Sequence, residues 1–572
     1  MRTAAGTVEV TIVGQDPGVA AADGRILTAR VRVPAGRLEP GPRSHRFHVI
    51  DYDAATGRFT APAGDDLVAD NAPGGRFHDP PDDTILADPA FHAQHTWAVA
   101  ARTLGAFEFA LGRRLPWGFP GHELYIVPHA KPEANAYYSP EQRSLLFGYV
   151  PLPEGGRMLT CLSHDIVAHE TAHAVLDGLR HRYLEPALPD QAAFHEALAD
   201  IAALLSMFSV REVVEHALGE ADADGRIDVE RISLEALRGN MLVVLAEQFG
   251  TVALHRPQGG LRRSAELDPI EDWRTLRAFE EPHKRGEVLV AAVLRTLLSM
   301  WTRRLADFLP AARIDRRRVA EEGATAALHL LHMAIRAVDY LPPVDFEYED
   351  FLEAVLVADT EVAPDDDFGY RPALTSAFAA YGIRRPVDGR VVDLAQADWE
   401  PVYHGLNWAA MRSDADEVFR FLWENSAGLG VSPAYYTHVE SVRPSVRVGP
   451  DGLVVQEVVA EYVQLLECTA GELLARAEAA GLQGAALPAR LPAETGVQIF
   501  GGGTLVFDQF GRAKYHVTKP LEHWAHQLRR LAYLARNGFY DSRRRLGFSV
   551  GAPRGEEFAE LHEPDVNVGE TW

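Results

Sequence analysis

The stretch 165-DIVAHETAHAVLDGL-179 places two histidines and a carboxylate within an otherwise largely apolar segment. It contains no proline and its only glycine comes late, so we expect a helix. His169 and His173 are four residues apart and therefore share one face of that helix. Two imidazoles on one face can hold a single zinc ion, and the neighbouring Glu170 can accept a proton from a metal-bound water. An ordinary pair of histidines on an amphipathic helix is the simpler alternative, so further ligands are needed to decide.

A second predicted helix, in "PDQAAFHEALADIAALLSMF", supplies the missing acidic groups. Glu196 and Asp200 are four residues apart on one face of a helix that is otherwise mainly apolar. A lone acidic residue on a helix is usually solvated, whereas two on the same side of an apolar helix require a buried partner. We therefore predict Glu196 as the third zinc ligand. Asp200 is expected to accept the second ring N–H of a ligand histidine.

"DIVAHETAHAV" followed by "HEALADIAAL" resembles the thermolysin-like zinc metallopeptidases, also called gluzincins. The resemblance covers roughly residues 85–385 and ends in "AFAAYGI", which is similar to the closing helix of that family. It implies a zincin catalytic domain in which two helices lie across an active-site cleft. It also implies zinc-dependent hydrolysis of peptide bonds, with a peptide or protein as substrate.

The resemblance implies further site residues. "NAYY" (Asn135–Tyr138) matches the edge strand that pairs with the substrate backbone, so Asn135 and Ala136 are expected to bind substrate. Tyr183 is the nearest match to a tyrosine that donates to the oxyanion, although an ordinary half-buried loop tyrosine explains it equally well. His283 in "FEEPHKRGEVL" matches a second oxyanion contact, oriented by Glu280 or Glu281. Its alternative is a histidine that merely begins a helix.

Calcium is a weaker expectation than zinc. Asp165 matches a calcium ligand of the family, but Met207 stands where an acidic companion is usual. "EADADGRIDVER" (Glu220–Arg231) imitates a calcium loop, yet it ends in Arg231 where a bidentate glutamate belongs. An acidic surface turn is the preferred interpretation of that segment.

Composition excludes several classes of protein. The chain of 572 residues carries a formal net charge of −25, which disfavours binding to nucleic acid. Two cysteines are too few for a disulfide framework, and no apolar run is long enough to span a bilayer. The N-terminus lacks the apolar core of a signal peptide, so a cytoplasmic location is the expectation, with non-classical export left open.

The pattern along the chain predicts an α+β protein in three parts. Residues 1–80 alternate short β-rich runs with turns, and we expect a small β-rich N-terminal domain there. Residues 81–385 form the expected catalytic domain, which is mostly helical in its second half. Residues 386–572 mix helical and strand-like segments and indicate an α+β accessory domain. Two alternatives to the peptidase hypothesis remain: an inert, zinc-stabilised scaffold or binding protein, and a zinc hydrolase of a non-peptide amide.

Overall fold

The computed structural model describes residues 6–34, 36–54, 56–59, 66–152, 156–185, 187–247, 260–386 and 391–540. These residues form a mixed α+β architecture, as the sequence predicts. None of the helices within these ranges combines the length and the apolar character needed to cross a membrane.

The N-terminal part contains the elements β1 (Thr7–Val13), β2 (Thr28–Pro34), β3 (Phe47–Val49), β4 (Tyr52–Asp53), β5 (Arg58–Phe59), α1 (Leu67–Asn71), α2 (Asp82–Ala87) and α3 (Pro89–Leu111). Strands β1 and β2 form an antiparallel pair that packs against α3. Strand β3 instead pairs in parallel with a strand of the following region, Leu124–Lys131. One hydrophobic core includes residues from Val8 to Ile383 and also Val506. The boundary expected near residue 80 therefore does not coincide with a break in the core, because these short strands bury their apolar faces against later elements.

The central region contains β6 (Leu124–Lys131), β7 (Ala136–Ser139), β8 (Ser144–Pro151), β9 (Arg157–Leu159), α4 (His164–Leu179), α5 (Pro189–Phe208), α6 (Arg211–Ala217), β10 (Arg226–Asp228), α7 (Leu234–Glu247), α8 (Gly260–Glu266), α9 (Pro282–Arg304), β11 (Arg313–Asp315), α10 (Arg316–Ala337), α11 (Tyr348–Val362) and α12 (Tyr370–Ala379). The strand order is β3-β6-β8-β7, with β9 also paired to β8. Strand β7 is thus an edge strand, antiparallel to β8 and packed against α4. The turn that joins β7 and β8 contains Arg143 at φ 53°.

Helix α5 packs against both α4 and α9. Helix α5 begins at Pro189 after an extended Leu188, which places Asp190 inside the first turn. Asp190 is buried in the first turn, where its carboxylate accepts from Arg285 Nε of α9 at 2.5 Å. It also accepts from the backbone N–H of Tyr348 at 3.0 Å. A buried carboxylate needs such partners, and this one ties the beginning of α5 to the beginning of α9.

The C-terminal part contains β12 (Val391–Asp393), α13 (Trp408–Met411), α14 (Ala415–Glu424), α15 (Ser426–Leu429), β13 (Tyr436–Val448), β14 (Val454–Thr469), α16 (Ala470–Ala479), β15 (Gly496–Asp508), β16 (Ala513–Lys519) and α17 (Trp524–Arg536). Its sheet has the order β12-β16-β15-β14-β13, and two hydrophobic clusters of its own cover that sheet. Arg447 of β13 joins it to the central region by an ion pair with Asp339 at 2.6 Å. Val506 of β15 belongs instead to the core of the central region.

Candidate metal and active site

Helix α4 carries the two histidines of the predicted zinc site. Nearly every residue of this helix is buried, including the polar residues Glu170, His173 and Asp177. His169 and His173 point their Nε2 atoms at one another at 2.9 Å, as the four-residue spacing predicts. Their rings are nearly perpendicular, with centroids 4.5 Å apart. Both imidazoles therefore present a nitrogen to the same point in space.

Helix α5 brings a carboxylate to that point. Glu196 Oε2 lies 3.5 Å from His169 Nε2, and Glu196 Oε1 lies 3.4 Å from His173 Nε2. One ligand atom from each of the three residues falls within 4.8 Å of the others, so a single ion can reach all three. The structure thus brings together the three residues that the sequence predicts as ligands.

The outward nitrogens of the two histidines are held by a second set of residues. Asp200 Oδ1 lies 2.9 Å from His169 Nδ1, as predicted for a carboxylate that orients a metal ligand. His195 Nδ1 lies 2.7 Å from His173 Nδ1, and the two rings stack with centroids 4.8 Å apart. A proton on His173 Nδ1 shared with His195 would leave the Nε2 lone pair of His173 directed at Glu196.

The electrostatics of this cluster favour a cation. Burial disfavours protonation of His169, but its hydrogen bonds to Asp200 and Glu196 outweigh burial, and the pKa of His169 is raised. The pKa of His173 is lowered, mainly by burial, although the charge of Glu196 opposes this effect. Two imidazoles and a carboxylate, all buried and converging, are the donor set that zinc takes in hydrolytic sites. The residues present therefore fit a zinc ion.

Glu170 lies next to this cluster and is fully buried. Its Oε2 accepts a hydrogen bond from the backbone N–H of Tyr138 at 3.0 Å. Tyr138 belongs to the edge strand β7, and its own hydroxyl donates to Asp177 of α4 at 3.0 Å. The general-base candidate is thereby tied to the strand that was predicted to bind substrate.

The predicted substrate-binding residues lie at the start of that edge strand. Asn135 is half-buried and Ala136 is fully buried. The backbone N–H of Ala136 donates to the side-chain oxygen of Asn135 at 2.8 Å, while the Asn135 carbonyl accepts from Gly148 of β8. A peptide that pairs with Ala136 would have to replace the Asn135 side chain as the acceptor.

His283 begins α9 and is 38% exposed. Its Nδ1 lies 2.7 Å from Glu281 Oε1, and the Glu281 side chain also caps the helix by accepting from the backbone N–H groups of His283 and Lys284. Glu280 instead faces Arg536 at 3.4 Å, so the structure selects Glu281 as the orienting residue. Burial lowers the pKa of His283, but the hydrogen bond to Glu281 and the charges of Glu196, Glu281 and Asp200 raise it to about 9. The carboxylates of Glu196 and Asp200 are therefore near enough to His283 to favour its protonated form.

The structure does not support the oxyanion role that was predicted for Tyr183. This side chain is 1% exposed and packs against Phe194 and Phe346. Its hydroxyl donates to the carbonyl of Pro342 at 3.0 Å, so its only proton is already engaged. Tyr183 is therefore a core residue, and the alternative of a structural tyrosine fits better.

The calcium-like segment also has a simpler explanation. Asp222 and Asp224 pair with Arg313 of β11, which places a cationic side chain where a calcium loop would need its ion. Arg231 donates to the carbonyl of Glu220 at 2.8 Å. Met207, which stands where the acidic companion of Asp165 is usual, is fully buried in α5. These contacts agree with an acidic surface turn braced by arginine.

Two contacts of the candidate site were not predicted from the sequence. His195 precedes Glu196, but nothing in the spacing says that its ring stacks on His173, because that depends on how α4 and α5 are rotated. The hydrogen bond from Tyr138 to Glu170 involves the backbone and leaves no signal in side-chain identity. The segment "HEALAD" offered one hint, since a histidine beside a ligand carboxylate is a ready partner for an imidazole.

Comparison of the whole sequence with protein-family models gives no match, and comparison with curated proteins gives none.

Proposed function

We propose that this protein is a zinc-dependent metallopeptidase of the thermolysin-like kind, which hydrolyses peptide bonds with Glu170 as general base. The single observation that carries the proposal is the position of the buried Glu170 beside His169, His173 and Glu196. An inert scaffold needs ligands but has no use for a buried, ionisable carboxylate next to them.

Zinc bound to the three ligands would polarise the scissile carbonyl and lower the pKa of its water. Glu170 accepts a proton from the attacking water and passes it to the nitrogen of the leaving amine. The Tyr138 N–H holds the Glu170 carboxylate in one orientation throughout. His283 donates a hydrogen bond to the carbonyl oxygen as negative charge builds on it.

The proposed substrate is a peptide in extended form. Strand β7 is the edge of its sheet and lies against α4, so a peptide added beside Asn135 and Ala136 would pass close to Glu170. The intramolecular hydrogen bond from Ala136 to the Asn135 side chain would then be exchanged for one to the peptide.

The test is cleavage of a mixed peptide library by purified protein, with and without a chelator. Glu170→Gln preserves the shape of the side chain and its ability to accept from Tyr138, but it removes the base. We expect turnover to fall by about 10²–10⁴-fold while zinc content stays at the level of the parent. Glu235→Gln, which alters an exposed glutamate in the first turn of α7, is the matched control and should cleave like the parent.

The outcomes separate the alternatives. Equal cleavage by Glu170→Gln and the parent would refute the proposed base. A parent that binds zinc at this site yet cleaves no peptide would favour the scaffold, or a hydrolase of a non-peptide amide. Glu196→Ala should lose one zinc equivalent relative to the parent, and full retention would remove Glu196 from the ligand set.

A further inference from the structure

A second buried group of nitrogen and sulfur ligands lies outside the site described above. His92 of α3, His129 of β6 and Cys161 of the turn Thr160–Leu162 each offer one ligand atom, all within 4.8 Å of one another. Their exposed fractions are 3%, 5% and 0%. The proposed peptidase mechanism uses none of them, and three separate elements converge to bring them together.

The hydrogen-bond partners determine where the protons of the two imidazoles lie. His92 Nε2 is 3.0 Å from the carbonyl oxygen of Ile85, which can only accept, so this nitrogen carries the proton. His129 Nδ1 is 2.6 Å from Asp51 Oδ1, and the carboxylate likewise calls for a proton on Nδ1. The remaining nitrogens, His92 Nδ1 and His129 Nε2, face each other at 3.0 Å. With both rings neutral, each of these nitrogens presents a lone pair to the other.

Two facing lone pairs require a positive centre between them. A second proton on His129 would supply one, because Asp51 could stabilise the imidazolium. That arrangement gives Cys161 no role, although its sulfur lies within 4.8 Å of a ring nitrogen of each histidine. A divalent ion satisfies all three groups, and its two positive charges would balance the Cys161 thiolate and the Asp51 carboxylate in a site with little solvent.

We propose that His92, His129 and Cys161 bind a second zinc ion, with Asp51 orienting His129. Imidazole and thiolate ligands together select zinc over calcium, magnesium or manganese. On binding, the Cys161 thiol loses its proton to solvent, and the sulfur lone pair forms the bond to the metal.

The position of this second site indicates a structural role. It would join the long helix α3 and strand β6 to the turn that leads directly into α4, which begins at His164. Helix α4 carries the residues of the first site. A metal at His92, His129 and Cys161 would thus fix the start of the helix that presents His169 and His173.

The first experiment counts zinc in full-length protein that has been loaded with zinc and desalted. The parent should retain about two ions per chain, and Cys161→Ser and His129→Gln about one each. Glu196→Ala should also retain about one, and the Glu196→Ala/Cys161→Ser double variant close to none. Cys468→Ser is the matched control, because it alters the other cysteine, in β14, and should retain both ions.

The second experiment replaces zinc by Co²⁺, whose bond to a thiolate gives a near-ultraviolet charge-transfer band. Only the second site contains a thiolate, so the band should appear in the parent, in Glu196→Ala and in Cys468→Ser, and vanish in Cys161→Ser. This measurement needs only the folded parent and Glu196→Ala if the other variants fail to fold. A parent that holds one zinc ion and shows no thiolate–cobalt band would overturn the proposal and leave the His129 imidazolium as the explanation.

Discussion

Replacing Glu281 by glutamine should move the alkaline limb of the pH–rate profile of peptide cleavage to lower pH. The pKa of His283 is raised from 6.5 to about 9, and Glu281 accepts its ring N–H at 2.7 Å. With a pKa of about 9, the protonated form of His283 predominates at neutral pH and is lost as the pH rises through that value. Activity that depends on protonated His283 should therefore decline on the alkaline side.

The size of the shift follows from the geometry. A hydrogen bond to a charged partner contributes about 1.5–3 kcal/mol when it is shielded from water. His283 and Glu281 are 38% and 52% exposed, so solvent screening reduces their interaction to about 1 kcal/mol. At 1.36 kcal/mol per pH unit, the alkaline limb should move down by about 0.7 unit. A zinc ion near His283 would lower the alkaline limbs of the parent and of Glu281→Gln by the same amount. The difference in pH between the two limbs would therefore be unchanged.

The assay is kcat/KM for one library-derived peptide between about pH 6 and pH 10, measured for the parent, Glu281→Gln and His283→Gln. The glutamine at position 281 retains an oxygen that can cap α9, which limits any loss of helix stability. His283→Gln should lose about 10²–10³-fold in kcat and lose the alkaline limb. If the limb of Glu281→Gln coincides with that of the parent, or if His283→Gln turns over within about threefold of the parent, His283 is not the oxyanion donor.

Two further predictions concern the zinc ligands and the core. Asp200→Ala and His195→Phe should each weaken zinc binding by about 10–100-fold in competition with a chelating dye, because each removes the partner of an outward ring nitrogen. Unchanged affinity in either variant would show that its partner contact is not needed to hold the imidazole. Tyr183→Phe should leave kcat within about threefold of the parent and lower the free energy of unfolding by about 1 kcal/mol in urea, because only the hydrogen bond to Pro342 is lost. A large loss of kcat with unchanged stability would restore Tyr183 to the site.

The sequence by itself determined what lies within single helices. Helical periodicity places residues four apart on one face, so the pairing of His169 with His173 and of Glu196 with Asp200 could be predicted without knowledge of the fold. The edge strand β7 was also expected, because Asn135–Tyr138 match the edge strand of the thermolysin-like family.

Only the tertiary structure decided which of these faces meet and which side chains are already engaged. The stacking of His195 on His173 depends on the rotation of α5 about its axis, and the choice of Glu281 over Glu280 depends on where Arg536 lies. Strand β3 pairs with β6, and this pairing buries the apolar side chains of β3. The N-terminal segment therefore shares the core of the central region. The group of His92, His129 and Cys161 assembles from a helix, a strand and a turn far apart in the chain. Periodicity within one element cannot predict which residues of different elements come into contact, because packing between elements depends on the shape of the whole buried surface.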